Sequence, residues 1–373
     1  MARSVEELLG VRAISRHAAP VSGAVAFSFL FFSDVHGEIA DAAKYAFMRD
    51  ITLFAEREGF AAIYIPERHF SQFGSIYANP AIVAAYLIPQ TRRIRFRTAG
   101  VSLPLHHPAE VVEWWAMNDV LSGGRVDLGF GSGWNRADFI LAPGNYEPRR
   151  ALCSERIAIV QRLWRGETVS FPGPGGESIP ITIHPRPVQP ELNVWLLVAQ
   201  NDAAFSYAGE QGYNVFTMLY GIDLEALSKK IALYREGRKK GGHDPGSGIV
   251  SLMLHTLVHR DRSTVEQAVE RPFKAYLKNA LDAHVNEGVV KATGADVADV
   301  IDEAARAKML EYAYRRYCST GAIFGSVEDG REVVDAAIRA GVNEIACLVD
   351  FGVDYATVET SLPYLKMLVS RYL

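Results

Sequence analysis

Short apolar runs alternate with longer segments of helical periodicity along most of this chain. The alternation begins at about residue 24 and continues to the C-terminus, which is the pattern of parallel strands joined by helices. Eight strands are predicted, the number that closes a barrel. The predicted strands are residues 24–32, 61–65, 94–101, 126–130, 194–199, 214–218, 249–258 and 344–349.

The longer segments predict helices between these strands. Asp41 and Asp223 are residue types that favour helix starts, and Pro108 suits the first turn of a helix. The predicted helices are residues 41–58, 108–121, 147–164, 223–240 and 355–369.

Two stretches depart from the alternation. Residues 166–190 carry a Pro-Gly-rich turn between two strand-like runs and predict a hairpin before the fifth strand, whereas residues 281–316 predict a helical insertion before the eighth. The expected fold is therefore an α/β (β/α)8 TIM barrel with insertions after strands 4 and 7. Residues 1–23 are expected to be an N-terminal extension, and residues 24–373 a single domain.

Composition narrows the classes of function. Of 373 residues, 49% are hydrophobic and 22% charged, the net charge is −4, and no basic stripe is present, so nucleic acid is not an expected partner. The three cysteines are widely spaced without a CxxC pair, which predicts neither disulfides nor a zinc site. No segment is apolar for the roughly 20 residues that span a bilayer, and the first residues do not form a signal peptide. A cytoplasmic protein is expected.

The second predicted strand ends in a cluster of polar residues, Glu67, Arg68 and His69. Charges at the end of a buried strand are costly unless they are paired or used, and the carboxyl ends of barrel strands carry the chemistry. His106 and His107 follow the third strand and, with His69, suggest a metal site as a minor alternative. That alternative lacks the supporting carboxylate spacing and an HxH strand pattern.

Small residues mark the ends of the third and fourth strands. Ala99 and Gly100 follow Thr98 and either make room for a flat ring or mark a bulge; the strand pattern favours neither. After the fourth strand, Ser132 and Gly133 lie in a glycine-rich turn whose amides suit phosphate oxygens. A Rossmann fingerprint is disfavoured, because this turn does not follow the first strand and no acidic residue is suitably placed downstream.

Further anion contacts are expected downstream. Tyr146 and Arg150 could meet the same anion, and a solvated helix start is a serious alternative interpretation of the Arg149-Arg150 pair. Positive charge at a helix N-terminus is unfavourable with the helix dipole, which mildly supports a specific anionic partner. Val198, Ala199 and Gln200 end the fifth strand, and the helix after them offers free amides. Elsewhere, Asp34 and His36 belong either to the barrel mouth or to a loop. His255, within an apolar strand, is expected to be a satisfied core histidine.

These motifs together resemble the bacterial luciferase-like flavin monooxygenases, and more narrowly their MupA-type branch of natural-product pathways. The resemblance extends from about residue 24 to the C-terminus. The segments that carry it are Pro66-Glu67-Arg68-His69-Phe70, Asn79-Pro80, Leu103-Pro104-Leu105-His106, Ser122-Gly123-Gly124-Arg125-Val126, Gly131-Ser132-Gly133-Trp134-Asn135, Pro185-Arg186-Pro187-Val188-Gln189-Pro190 and residues 344–354.

The resemblance implies a homodimer that binds reduced FMN supplied by a separate flavin reductase and uses molecular oxygen to oxygenate its substrate. It implies phosphate contacts at Ser132, Arg150, Ala199 and Gln200, an isoalloxazine beside Ala99, Gly100 and Trp134, and a cis peptide at Ala99-Gly100. The complete set of expected cofactor residues is Glu67, Thr98, Ala99, Gly100, Ser132, Gly133, Trp134, Tyr146, Arg150, Val198, Ala199 and Gln200.

One position departs from the luciferases. Arg68 stands where those enzymes carry their catalytic histidine, as it does in the MupA-type branch, and a guanidinium cannot act as a base. The expected catalytic residues are therefore Arg68, to stabilise negative charge, and His69 or Asp34, to move the proton. The expected reaction is C- or N-hydroxylation of a small or carrier-tethered metabolite in secondary metabolism. The alternatives are a non-catalytic flavin-binding barrel and a deazaflavin-dependent oxidoreductase.

Overall fold

A computed structural model describes residues 25–32, 38–71, 74–293 and 303–373. The predicted extension 1–23, Asp34 and His36 lie outside the described residues. The chain divides into two compact units: one contains Val198–Gly212, Thr217–Leu373 and the described part of Met1–Ala40, and the other contains Asp41–Leu197 and Tyr213–Phe216. Parallel strands alternate with helices in the (β/α)8 TIM-barrel fold, as predicted.

Every predicted barrel strand is present. The third is divided into two strands, and one further parallel strand lies in a region where none was predicted. The strands are β1 Ala26–Leu30, β2 Ala62–Ile65, β3 Arg95–Thr98, β4 Val101–Ser102, β5 Val126–Gly131, β6 Val169–Pro172, β7 Ser178–Ile181, β8 Val194–Leu197, β9 Asn214–Met218, β10 Val250–His259, β11 Ala322–Ser326 and β12 Glu344–Leu348.

The predicted helices are present with bounds within two residues. His107 and Asp223 cap the helices that follow them by accepting hydrogen bonds from backbone amides. The helices are α1 Asp41–Glu58, α2 Pro80–Leu87, α3 Pro108–Ser122, α4 Arg149–Arg165, α5 Asp202–Glu210, α6 Leu224–Lys240, α7 Arg262–Thr293, α8 Glu303–Arg316, α9 Val327–Arg339 and α10 Tyr355–Val369.

In the second unit, β2, β3, β5, β8 and the start of β9 pair in parallel in that order. Its core contains fully buried Tyr64 and Trp195 around an ion pair between Arg97 and Asp127. The Arg97 guanidinium donates to the Tyr64 hydroxyl at 2.9 Å and lies 4.2 Å from the Trp195 ring. The inserted β6 and β7 form an antiparallel hairpin, as predicted.

In the first unit, β1, β12, β10 and β11 pair in parallel in that order. The ten-residue β10 pairs with β12 along its first half and with β11 along its second half. Neither β11 nor α9 was predicted, because β11 is short, contains Gly325 and lies soon after the region assigned to a helical insertion. No helix in the described ranges combines the length and apolar character needed to cross a bilayer.

Candidate active site

The Glu67 carboxylate is the centre of the polar cluster at the end of β2. The residue is only 8% exposed, and its Oε1 atom lies 2.7 Å from His69 Nε2 and 2.5 Å from His106 Nε2. Its second oxygen accepts the backbone N–H of Ser102 at 2.8 Å. Three donors therefore converge on one buried carboxylate, which compensates for its removal from water.

The local chain explains why His106 reaches Glu67. Leu103–Leu105 form a short 3-10 turn after β4, and Arg156 of α4 clamps this turn by donating to the carbonyls of Leu103, Pro104 and His106 at 3.2, 3.0 and 2.7 Å. The next residue, His107, has a different role because it caps α3. The two adjacent histidines are thus separated into one site residue and one helix cap.

The hydrogen bonds set the charge of this cluster. Burial raises the pKa of the Glu67 carboxyl, but the bonds from His106, His69 and the Ser102 amide outweigh burial and hold its pKa at about 2. The bond to Glu67 in turn raises the pKa of His69 against the opposing effect of burial. Because both imidazoles direct Nε2 at an ionised oxygen, each Nε2 carries the proton, and Nδ1 is the acceptor in the neutral ring.

The same three side chains bear on the metal alternative. Their ligand atoms all lie within 4.8 Å of one another, so the set could accept a cation. However, the Oε1–Nε2 distances of 2.5 and 2.7 Å are those of charge-assisted hydrogen bonds. In this geometry the Nε2 protons of His69 and His106 are used, and the metal alternative needs both to be displaced.

Arg68 and His69 face residues that follow β5. The Arg68 guanidinium lies 6.0 Å from the Trp134 ring, within cation–π range. Asp138, in the 3-10 turn after Asn135, accepts from the Asn135 amide at 2.6 Å. Burial raises the pKa of Asp138, while attraction to His69 and Arg68 opposes the rise. The ends of β2 and β5 thus form one charged cluster, in which Asp138 was not foreseen.

Small residues lie at the ends of β3 and β5, and we call Ala99 and Gly100 the floor of the site. Gly100 adopts φ 118°, and a Cβ atom there would lie 3.0 Å from Leu197 Cδ2. Ala99 is buried and donates to the Ile65 carbonyl at 2.8 Å. The Ala99-Gly100 peptide is trans, so the expected cis bond is wrong; the cis bond of the described residues is His184-Pro185. Ala99 and the left-handed Gly100 separate the predicted third strand into β3 and β4.

Thr98 lies beneath this floor. Its hydroxyl donates to the Gly129 carbonyl and accepts the Gly129 amide, both at 2.7 Å. A Cβ atom on Gly129 would lie 2.3 Å from the Thr98 carbonyl oxygen, so the two strands approach closely only because residue 129 is glycine. Thr98 therefore fixes the floor from below.

The turn after β5 contains the residues predicted to meet a phosphate. Ser132, Gly133 and Trp134 are half-buried, and Gly133 is left-handed with a virtual Cβ 2.9 Å from the Phe139 ring. Tyr146 packs against that ring at 5.1 Å, and the Arg149 guanidinium lies 4.2 Å from Tyr146. The turn and the floor contain the residues that could hold a flat ring with an attached anion.

The other predicted anion contacts differ in setting. Arg150 is exposed at the start of α4. Val198, Ala199 and Gln200 belong to the other compact unit. There the Gln200 side-chain amide donates to the Tyr220 carbonyl at 2.9 Å, and the Gln200 backbone carbonyl accepts a hydrogen bond from Lys230 Nζ at 2.6 Å. Asn201 caps α5 just after them.

Sequence reasoning missed three residues of the site: His106 as a partner of Glu67, Arg156 and Asp138. The adjacent His106 and His107 were a signal for the first, but their spacing does not reveal which imidazole faces Glu67. Arg156 is an ordinary surface type within a predicted helix, and Asp138 lies outside the predicted elements, so only the folded chain shows their contacts.

Known proteins share sequence similarity with most of this chain. A profile of the luciferase-like monooxygenase family matches residues 25–344. The oxygenase component of the flavin-dependent trigonelline monooxygenase of Acinetobacter baylyi is 24% identical over 346 residues, 90% of this chain and 91% of that protein. Some matches are partial: the uncharacterized protein y4vJ of Sinorhizobium fredii is 25% identical over 231 residues, 61% of this chain and 65% of that protein.

Solved structures share the fold. Monooxygenase RslO1 of Streptomyces bottropensis has a TM-score of 0.75 at 20% identity, with 93% of this chain and 100% of that chain covered. The oxygenating constituent of 3,6-diketocamphane monooxygenase of Pseudomonas putida, in complex with FMN, scores 0.74 at 18% identity, covering 94% and 99%. The coenzyme F420-dependent tetrahydromethanopterin reductase of Methanopyrus kandleri scores 0.68 at 15% identity, covering 92% and 98%. On the match over residues 25–344, the chain belongs to the luciferase-like monooxygenase family.

Proposed function

We propose that this protein is the oxygenase component of a two-component, FMN-dependent monooxygenase. Its proposed substrate is a small or carrier-tethered metabolite of secondary metabolism, hydroxylated at carbon or nitrogen. The observation that carries the proposal is the carboxylate with two imidazoles, Glu67, His69 and His106, next to Arg68 and a floor of small residues. Two similar proteins support the proposal: one is named as the oxygenase component of a flavin-dependent monooxygenase, and the other as an oxygenating constituent in complex with FMN.

We propose that the flavin ring lies on Ala99 and Gly100 against Trp134, with Ser132, Gly133 and Arg150 toward its phosphate. When bound and reduced, the flavin supplies the electrons that activate oxygen. Glycine at residue 100 is required by both its positive φ and its approach to Leu197, so a side chain there would disturb the floor. Val198, Ala199 and Gln200 remain a proposal from the family resemblance.

Arg68, His69 and Glu67 have different proposed roles in the proton chemistry. Arg68 is permanently charged and holds negative charge that develops near Trp134. His69 is the proton carrier, and Glu67 fixes its Nε2–H tautomer so that Nδ1 accepts and returns the proton. Asp34 keeps its proposed role in moving a proton, although it lies outside the described residues.

The test compares Arg68→Ala, His69→Gln and the native protein in one assay. Reduced FMN and candidate substrates are supplied, and hydroxylated product and hydrogen peroxide are both quantified. Each variant should form at least about 10²-fold less product, the ordinary contribution of an acid–base group, while FMN affinity changes little. Unchanged product yield in both variants would remove these residues from the mechanism. Absence of oxygen uptake beyond that of free reduced FMN would favour the non-catalytic barrel.

A homodimer is part of the proposal, and an exposed apolar face of the second unit supports it. Helices α2 and α3 pack together, with the Asn118 amide donating to the Ala81 carbonyl at 2.9 Å. Large exposed patches on such helices mark interaction sites. The exposed apolar residues of this face are Ile82, Tyr86, Met117, Val120 and Leu121, between 42% and 69% exposed. A second copy of the chain is the proposed occupant.

A second candidate function is hydride transfer with a deazaflavin. The fold similarity to an F420-dependent reductase favours it, since the two cofactors have rings of similar shape. Titration of the protein with reduced FMN and reduced F420 separates the two: at least tenfold tighter binding of F420, without product in the oxygenation assay, would replace the first proposal.

A further inference from the structure

A cluster of aromatic rings encloses one histidine of β10. The His255 ring lies 4.7 Å from Phe273, 4.9 Å from Tyr276, 5.5 Å from Tyr317 and 5.6 Å from Phe351, measured between ring centroids. We call these five residues the His255 cluster. All of them lie in the first compact unit. Edge-to-face contacts dominate, which is the favourable geometry for aromatic pairs.

His255 is not the satisfied core histidine that the sequence predicts. It is 2% exposed, and within the described part of the chain neither Nδ1 nor Nε2 has a hydrogen-bond partner. Burial lowers the pKa of His255 to about 3, so the imidazole is neutral at physiological pH and offers one donor and one acceptor. Buried polar groups are nearly always hydrogen-bonded, so this exception calls for a reason.

Packing alone does not supply that reason. A phenylalanine at residue 255 would fill a similar volume among the same rings and would leave no polar atom without a partner. A neighbouring strand of the unit shows where the imidazole lies: His255 pairs with Leu348, the last residue of β12, and Phe351 follows that strand. His255 is the sixth of the ten residues of β10. It lies level with the carboxyl end of β12, the end at which barrels bind their ligands, and with Ala322, the first residue of β11.

One wall of the cluster is formed by an irregular segment. Tyr317 begins a π-helical turn, Tyr317–Gly321, and it is less buried than Phe273, Tyr276 and Phe351. Such turns are rare and are frequent at functional sites. Tyr317 is therefore the most exposed of the four rings around the imidazole.

We propose that the His255 cluster is a binding subsite for an uncharged aromatic ligand, whose hydroxyl or carbonyl group hydrogen-bonds to the His255 imidazole. This inference concerns the first compact unit alone. The ring walls favour a flat apolar group. A neutral imidazole gives a charged group little compensation for losing water, so the preferred group is uncharged.

The test uses two probes of the same shape, 2-naphthol and 2-methylnaphthalene, which differ in the hydrogen-bonding hydroxyl. Their dissociation constants are measured by fluorescence titration against the native full chain, His255→Phe and His255→Leu. The ratio of the two constants isolates the hydroxyl contact. We expect both variants to lower the preference for 2-naphthol by at least about fivefold, since they remove its buried partner. His255→Leu keeps the test informative if phenylalanine is too large.

The outcomes separate this inference from the proposed function. FMN affinity is measured on the same preparations, and neither His255 variant should change it. An unchanged probe preference in a variant that still binds FMN, or no binding of either probe by the native protein, would overturn the subsite alone. Lost oxygenase chemistry with an intact probe preference would overturn the proposed function and leave the subsite. His255→Phe should also raise the melting temperature, because it removes two polar atoms without partners.

Discussion

Replacing Glu67 by glutamine removes the negative charge to which both imidazoles donate while keeping the shape of the side chain. The hydrogen bonds from His106, His69 and the Ser102 amide overcome burial and lower the pKa of this carboxyl from 4.5 to about 2. Each unit of pKa corresponds to about 1.4 kcal/mol, so the lowered pKa of Glu67 stabilises the folded state by about 3 kcal/mol.

The sign of this contribution fixes its pH window. The folded-state pKa of Glu67 lies below the unfolded value, so the stabilisation is complete above pH 4.5 and is lost as the pH falls from there toward 2. The native protein should therefore exceed Glu67→Gln in free energy of unfolding by about 3 kcal/mol at pH 7. The difference should shrink below pH 4.5.

The pKa of His69 provides a second measurement, for which the pH dependence of stability has the opposite sign. The hydrogen bond to Glu67 raises the pKa of His69, so the stability it adds is complete below the unfolded value of 6.5 and is lost as the pH rises through the folded value. In Glu67→Gln this bond loses its charge, and the pKa of His69 should fall. The imidazole resonances of His69, followed by NMR against pH, report this change directly.

The assay is urea unfolding of the native protein, Glu67→Gln and the control Glu147→Gln across pH 7 to the lowest pH at which the native protein folds. Glu147 is exposed, and its replacement should cost little at any pH. A stability difference for Glu67→Gln that is constant across the range would refute the reasoning, because it would show that the charge of Glu67 does not depend on these contacts. A pKa of His69 that is equal in native protein and variant would refute it independently.

Four further measurements test other parts of the structure. Asp127→Asn should cost about 3–5 kcal/mol in urea unfolding, because it leaves Arg97 buried beside a neutral partner; a cost below 1 kcal/mol would contradict the assigned ion pair. Leu121→Glu should convert a dimer to a monomer in analytical ultracentrifugation, whereas a monomeric native protein would refute the α2–α3 interface. Phe70→Asn should raise the free energy of unfolding by up to about 1 kcal/mol. Among the described non-glycine residues, Phe70 alone has a positive φ, 52°, and its side chain is 63% exposed. Clear destabilisation would show that the Phe70 ring is needed. Dialysis against EDTA should leave the melting temperature unchanged. If EDTA instead lowers the melting temperature and one equivalent of a metal ion restores it, the metal alternative at Glu67 is supported.

The alternation of apolar and helical segments predicted the barrel, because burial on both faces forces continuous apolar strands. It could not predict that the third strand divides, since the positive φ of Gly100 depends on its neighbours. It also missed β11, whose five residues carry no strong periodicity. Local pattern thus predicts the elements that propensity and burial both favour, and it fails where a neighbouring strand decides the conformation.

The candidate site shows the same limit. Glu67, Arg68 and His69 were found because charges after a buried strand are unusual. His106 lies 39 positions from Glu67 in sequence, and its role follows from a turn that Arg156 holds by three carbonyl contacts. For His255 the sequence indicated burial, but whether a buried imidazole finds a partner is decided by side chains from other elements.

The charges around Glu67 are consistent with the different roles proposed for Arg68 and His69. The ionised Glu67 and the permanently charged Arg68 cancel, so these two side chains together with the neutral imidazoles of His69 and His106 carry no net charge. Proton uptake by His69 then gives one positive charge, which the Glu67 hydrogen bond favours and which Asp138 attracts. An anion bound against Arg68 would offset that charge. The hydrogen bond to Glu67 thus raises the pKa of the His69 imidazole, whereas Arg68 provides charge that does not change with pH. On this reasoning Arg68→Lys should retain more activity than Arg68→Ala, and His69→Gln should lose the pH dependence that both Arg68 variants keep.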